Sequence, residues 1–262
     1  MLRSLRTAAL GMTAQQLNVD TIAHNLANVN TTGYKKSTVE FQDLLYDNIE
    51  SGDASSQDGL EKPGEIQVGL GNKPISTYKS FSQGNITETG NSLDIAINGK
   101  GFFQITQPDG SYTYSRDGAF RVNSQGNIVT AAGLRVYPDT SLPEGVTSIK
   151  ISQDGVLSVL IDGQVEPEEM GQFELATFMN PAGLKAIGGN LYEQTEASGE
   201  PSYGSPGDEG FGVCVQGYLE KSNVDVVEEM VNLIVSQRSY EINSKAVKTA
   251  DELLQMTNSL KR

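Results

Sequence analysis

The two ends of the chain repeat apolar residues on a helical period, and the long stretch between them does not. From the N-terminus, Leu2, Leu5, Ala9, Met12, Val19, Ala23 and Leu26 recur in alternate steps of three and four, with Gln16 in the one polar slot. Such a period is the narrow seam of a coiled coil rather than the broad stripe of a helix lying on a globular core. No proline interrupts it, and Gly33 follows where a left-handed cap suits glycine. The spacing predicts a helix over 2–28. Near the C-terminus Val226, Leu233, Tyr240, Val247 and Leu254 fall seven apart, with Met230 four residues after Val226. Ser222 or Asn223 is the expected N-cap, and Glu228 and Glu229 favour the helix dipole. The intermediate positions Gln237, Ser244 and Asp251 are polar, so one seam is weak. A second face is expected from Val227, Val231, Ile234, Ile242, Ala246, Ala250 and Leu253.

Between the ends the period drops to two. Asn98-Gly99, Asp109-Gly110, Asp117-Gly118, Asp154-Gly155 and Asp162-Gly163 are turn dipeptides flanked by short β-rich runs such as FFQIT and VLSVLI. Even spacing of short strands predicts an antiparallel body. The polar stretch 47–71 reads as a loop or extended ribbon, and the Gly/Ser/Pro-rich stretch 198–212 as a return. The fold class is therefore α+β, a mainly-β body inserted between long terminal helices that form a coiled-coil stem. The expected division is a helical stem of 1–36 with 220–262, a connecting region of 37–91 with 198–219, and a β-rich outer body of 92–197. Narrow amphipathic helices are marginal alone. Paired as an antiparallel hairpin, they still need neighbours from other chains, and contacts between non-identical faces make rings or open filaments.

Composition narrows the function. A net charge of −14 argues against nucleic acid, which demands a basic footprint. The acidity belongs to 37–219, which carries −16, whereas 1–36 carries +3. One cysteine, Cys214, and one histidine, His24, leave no disulfide framework within the chain and no zinc site built from both types. An apolar fraction of 37% is low for a compact enzyme. No phosphate loop or calcium loop occurs, and Gly99-Lys100-Gly101 lacks the spacing of the first. His24 has no nucleophile in register and reads as structural or interfacial; Asp154 and Asp162 read as turn residues. Cys214, between Val213 and Val215, reads as a small buried hydrophobe. Catalytic, cofactor and metal residues are expected to be none. Nothing spans a bilayer. The start mimics a signal peptide, but Gly11, Thr13 and Gln15-Gln16 break its apolar run, so it reads as retained structure without a Sec-type address.

The most distinctive string is Asn25-Leu26-Ala27-Asn28-Val29-Asn30-Thr31-Thr32-Gly33-Tyr34-Lys35, a helix end followed by a glycine-permitted reversal. It resembles the N-terminal signature of the bacterial flagellar rod and hook proteins, the axial family. SLDIAINGKGFFQI, YSRDGAF and LEKSNVDVVEEMVNLIVSQRSYEINSKAVKTADELLQ are similar to its central and C-terminal motifs, in the right order. Tyr34 stands where the family often has phenylalanine. TFMNPAGLKAIGGNLYEQTEASGEP resembles the body of its distal-rod members, and 46–71 sits where those carry an insertion associated with a straight, stiff shaft. Another axial protein of the same family, a rod paralogue with a β domain or a short hook-type protein, stays open as an alternative.

The resemblance implies a structural subunit, not an enzyme, that polymerises into the flagellar drive shaft. It implies export through the flagellar type III channel, placement in the basal body across the periplasm, and no membrane insertion. Implied partners are further copies of the chain, proximal rod proteins, hook protein and the P- and L-ring proteins. No cofactor is implied. Two rival classes are a polysaccharide-binding or hydrolysing β protein, which needs a cleft with converging carboxylates and leaves the heptads unexplained, and a monomeric adaptor gripping one partner with its helices. The expected assembly seam is Leu2, Leu5, Met12, Val19 and Leu26 against Val226, Met230, Leu233, Tyr240, Val247 and Leu254. The acidic middle keeps an exported body soluble; a bearing that works by like-charge repulsion is the sharper alternative.

Overall fold

The structure is a computed structural model that describes residues 2–50, 66–163 and 166–259. It is α+β: helix α1 (Leu2–Ala27), a series of short strands, and helix α2 (Val226–Ser259). Every strand pair with a defined register is antiparallel. The chain divides into two compact units. The first comprises Met1–Leu26, Ser37–Tyr78 and Val226–Arg262; the second comprises Ala27–Lys36 and Lys79–Asp225.

In the first unit α1 and α2 run antiparallel. Asn18 Nδ2 donates to Ser236 Oγ at 2.9 Å and Asn25 Nδ2 to Glu229 Oε2 at 3.2 Å, while Gly11 faces the Asn243 amide. The 34 residues of α2 make it about 51 Å long. Neither Ser222 nor Asn223 caps it. Helix α2 starts at Val226, and Asn223 instead accepts from Lys36 N–H at 2.7 Å and donates to Ser80 O at 2.9 Å. Its amide is worth more tying two loops than satisfying one helix end.

A ribbon completes this unit. Ser37–Asp43 pairs with Asn72–Lys79, and Tyr46–Glu50 with Ile66–Gly69 in the register Tyr46↔Gly69. The expected ribbon thus exists at both its ends; its middle, 51–65, lies outside the described residues. The strand Asn72–Lys79 is exposed along nearly its whole length, with Ile75 58% accessible.

The second unit is built on a nine-stranded sheet around Phe102–Thr106, whose partners are Tyr112–Ser115, Arg135–Val136 and Leu175–Thr177. Successive residues of a strand point to opposite faces, and here both faces are covered. Phe103 and Ile105 enter one cluster with Phe120, Phe173 and Leu175. Phe102 enters another with Tyr114, Phe178 and Tyr192. Edge-to-face contacts join Phe103 to Phe120 at 5.0 Å and Tyr114 to Phe178 at 4.8 Å. The dipeptide turns hold at Gly99, Gly110, Gly155 and Gly163, all at positive φ. Asp117-Gly118 is different. Gly118 has no positive φ, and a Cβ there would lie 1.7 Å from Ile95 O, so this glycine serves close backbone approach. Its sequence looks like a turn because both uses favour the same residue.

Cys214 lies in the first cluster, 1% exposed, and burial pushes its thiol up to about 12. An unfolded thiol ionises near 9, so above that pH the unfolded chain releases a proton that the folded chain keeps. The thiol's contribution is complete below pH 9 and declines as pH rises towards 12. By pH 11 the loss reaches about 2–3 kcal/mol. Urea unfolding of native protein and Cys214→Ala between pH 8 and 11 checks this: the variant's curve should be flatter, and parallel curves would refute it.

Candidate functional site

A helix pair with two kinds of face is the structure's main candidate for function. At 3.6 residues per turn, Glu229, Leu233, Ser236, Asn243, Val247, Ala250 and Leu254 share the side of α2 that meets α1. Glu229, Ser236 and Ala250 are buried. On α1 the buried positions are Ala8, Ala14, Ile22 and Asn25. Leu5, Met12, Val19 and Leu26 are half-buried, flanking that centre, and the Leu2 side chain lies outside the described residues. Leu233, Val247 and Leu254 are half-buried. Tyr240, Val226 and Met230 are exposed, at 42%, 37% and 51%.

The intermediate positions differ from expectation. They fall three residues after each heptad position, at Ser236, Asn243 and Ala250; Gln237 and Asp251 are exposed and Ser244 is half-buried. Small and hydrogen-bonded residues let the helices approach closely, which purely apolar reading overlooks. The missed signal was the repeat of seven itself: Gly11, Asn18 and Asn25 on one helix, Glu229, Ser236 and Asn243 on the other.

On the opposite side of α2 lies the second face. Val227, Met230, Val231, Ile234, Val235 and Ile242 are exposed, with Val227 at 71% and Ile242 at 65%. Soluble helices place their apolar residues against something, and among the described residues these side chains stay largely open to solvent.

The signature string divides its work. Within the first unit, Asn25 is 1% exposed; its Oδ1 accepts from Ser37 N–H at 2.9 Å and its Nδ2 donates to Ser37 O at 2.8 Å, besides Glu229. It thereby pairs with the first residue of the ribbon as a strand would. Ala27 is exposed and Val29 half-buried. Within the second unit, Thr31 closes a turn onto Asn28 through N–H to O at 3.1 Å and hydroxyl to Oδ1 at 3.1 Å. Gly33 takes φ +67° and donates to Glu220 O at 2.8 Å. Tyr34 is buried beneath the Lys79 ammonium, 4.6 Å from its ring centre. A Cβ on Gly33 would approach Asp117 N to 2.7 Å. Gly33→Ala combines that clash with a left-handed backbone and should cost at least about 2 kcal/mol. A denaturation midpoint equal to native protein would contradict this account.

Beside Gly33 sits a buried charge cluster that sequence reasoning missed. Lys35 and Glu220 side chains are fully buried and Arg116 is 4% exposed. Lys35 Nζ donates to Glu220 Oε1 at 2.6 Å and to Ser82 O at 2.7 Å. The same oxygen accepts Gly84 N–H at 2.8 Å. Arg116 donates to Gly101 O at 2.6 Å and Gly99 O at 2.8 Å; its Nε lies 3.1 Å from Glu220 Oε2 as an ion pair without a hydrogen bond. Burial lowers the pKa of both cations, and Glu220 partly restores each. His24 is exposed on α1. Among the described residues no group of His, Cys, Asp and Glu is arranged to hold a metal, and no helix is long and apolar enough to cross a membrane.

This geometry, helices with an exposed apolar face and a β body without a convergent reactive cluster among the described residues, suits a structural subunit that meets other chains through its helices. Three family models match in chain order: flagella basal body rod protein at residues 5–35, the flagellar hook protein FlgE/F/G D1 domain at 96–159, and the flagellar basal body rod FlgEFG protein C-terminal region at 215–260. Over full length the chain is 50% identical to flagellar basal-body rod protein FlgG of Borreliella burgdorferi, covering all of both chains. It is 49% identical to that of Caulobacter vibrioides, covering 99% of this chain and all of the relative, and 38% to that of Bacillus subtilis, covering all of both. The chain belongs to the FlgG family of flagellar basal-body rod proteins. It is a structural subunit of the distal rod, located in the flagellar basal body.

Proposed function

We propose that the chain polymerises with copies of itself into a straight shaft that transmits torque from motor to hook, its terminal helices forming a coiled-coil stem. The observation that carries this is the uncovered face of α2. Val227, Val231, Ile234 and Ile242 are each more than half exposed, opposite a side already taken by α1. A face used against a different face of the next copy gives an open helical array rather than a closed dimer. The seam residues Leu5, Met12, Val19 and Leu26, half-buried beside α1's centre, then gain further cover from neighbours.

The division into stem (1–36 with 220–262), connecting region (37–91 with 198–219) and outer body (92–197) belongs to this reading. So do proximal rod, hook, P-ring and L-ring proteins as partners, and type III export as the route. A single buried thiol and the absence of disulfides suit a chain threaded through a narrow channel. The test is sedimentation of the full chain across a wide concentration range, with electron microscopy of large species. Straight tubes or filaments are expected. A chain that stays monomeric at every concentration with both helices formed overturns polymerisation and favours the adaptor.

A further inference from the structure

We propose that three polar layers, Gly11/Asn243, Asn18/Ser236 and Asn25/Glu229, set the register of the α1–α2 pair, and that its apolar residues do not. The layers recur at intervals of seven on both helices: 11, 18 and 25 rise as 243, 236 and 229 fall. Between them lie Ala14 and Ile22 of α1 and Leu233 of α2, with Ala8 and Val247 just beyond the Gly11/Asn243 layer. A heptad pattern of small and aliphatic residues looks the same after a slip of seven, so it stabilises several registers almost equally. The polar layers do not.

A slip of one heptad brings Asn18 opposite Glu229 or Asn243. Ser236 then leaves Asn18 for Asn25 or Gly11, and Asn25 is already committed to both backbone groups of Ser37. At Gly11 a Cβ would lie 2.8 Å from Asn243 Nδ2, so any other residue brought opposite Asn243 forces its amide to move. Buried Glu229 and Ser236, 1% and 2% exposed, make every wrong pairing cost desolvation without its hydrogen bond. A polar residue at a seam position is the best attested device for choosing one register at some cost in stability. Register here fixes where along α1 each residue of the outward face of α2 stands, hence the surface a neighbour meets. The inference concerns one chain and stands whether or not chains polymerise.

The test uses full-length protein with Asp20→Cys and Lys248→Cys, both exposed, carrying nitroxide labels while Cys214 stays buried and unlabelled. Labelled chains are diluted in a large excess of unlabelled ones, so that only distances within one chain contribute in soluble or assembled material. In the observed register the labels are separated along the axis by about 21 Å, and a heptad slip moves that separation by about 10 Å. Native layers should give one narrow distance. Asn18→Leu, Glu229→Leu, Ser236→Leu and Asn243→Leu together should keep the helices paired, raise their melting temperature and add a second distance. Exchanging the central pair (Asn18→Ser with Ser236→Asn) should restore a single one. One unchanged distance in the four-fold leucine variant overturns the proposal, as does a broad distribution with native layers.

Discussion

Glu220→Gln should unfold the protein's β body about 3–5 kcal/mol more easily than native protein, the usual cost of leaving buried charge uncompensated. The substitution keeps the shape and an acceptor for Lys35 and Gly84, so the loss isolates the charge. Two cations, Lys35 and Arg116, then face each other with no anion in a site where Lys35 is fully buried. The reverse change is milder. Lys35→Met loses the bonds to Glu220 Oε1 and Ser82 O but leaves Glu220 with Arg116, a neutral pair whose guanidinium still donates to Gly99 and Gly101 and whose carboxylate still accepts from Gly84. Its cost should be about 1–3 kcal/mol. The order, Glu220→Gln worse than Lys35→Met, is the sharper result and follows from the cluster's excess of one positive charge. Guanidinium unfolding followed by tyrosine fluorescence measures both. Equal losses, or a Glu220→Gln midpoint within about 1 kcal/mol of native, would show that the cluster is not energetically tight.

Period and turn chemistry carried far in this chain because they are local. The helix expected over 2–28 ends at Ala27, and FFQIT is a strand over Phe102–Thr106. What failed to show was pairing across distance. Lys35 and Glu220 are 185 residues apart. A lysine in a polar exit string and a glutamate before a serine both look like solvated surface until the fold buries them together. The helix seam was half legible. Leu233, Val247 and Leu254 lie on the side of α2 that meets α1, but the inward residues between them stand three positions on, at Ser236, Asn243 and Ala250, where a heptad reading points four on. An apolar criterion passes over Ser236, which is buried with its hydroxyl accepting from Asn18, and over half-buried Asn243, whose amide faces Gly11. Asn223 shows the same limit, since its partners Lys36, Ser80 and Ser82 all lie more than 140 residues away.

Ile234→Asp should abolish assembly while leaving the single chain's fold intact, and that separation distinguishes the two faces of α2. Ile234 is 54% exposed and lies opposite the α1 seam, so a carboxylate there faces water in the free chain. Helical circular dichroism and the unfolding midpoint should therefore stay within about 0.5 kcal/mol of native protein. In a polymer the same position is buried against a neighbour. Losing an isoleucine's burial forfeits about 1.5–3 kcal/mol, and desolvating a carboxylate adds to it. At about 1.4 kcal/mol per tenfold, the concentration needed for assembly should rise at least a hundredfold. Leu233→Asp, one position back and half-buried on the side that meets α1, should behave otherwise, lowering helix content as well as assembly. Gln237→Asp, exposed and polar to begin with, should do neither. Normal assembly from Ile234→Asp at native concentrations would take the second face out of the interface. The exposed ribbon strand Asn72–Lys79, half of a two-stranded sheet, would then be the next surface to test by the same kind of substitution.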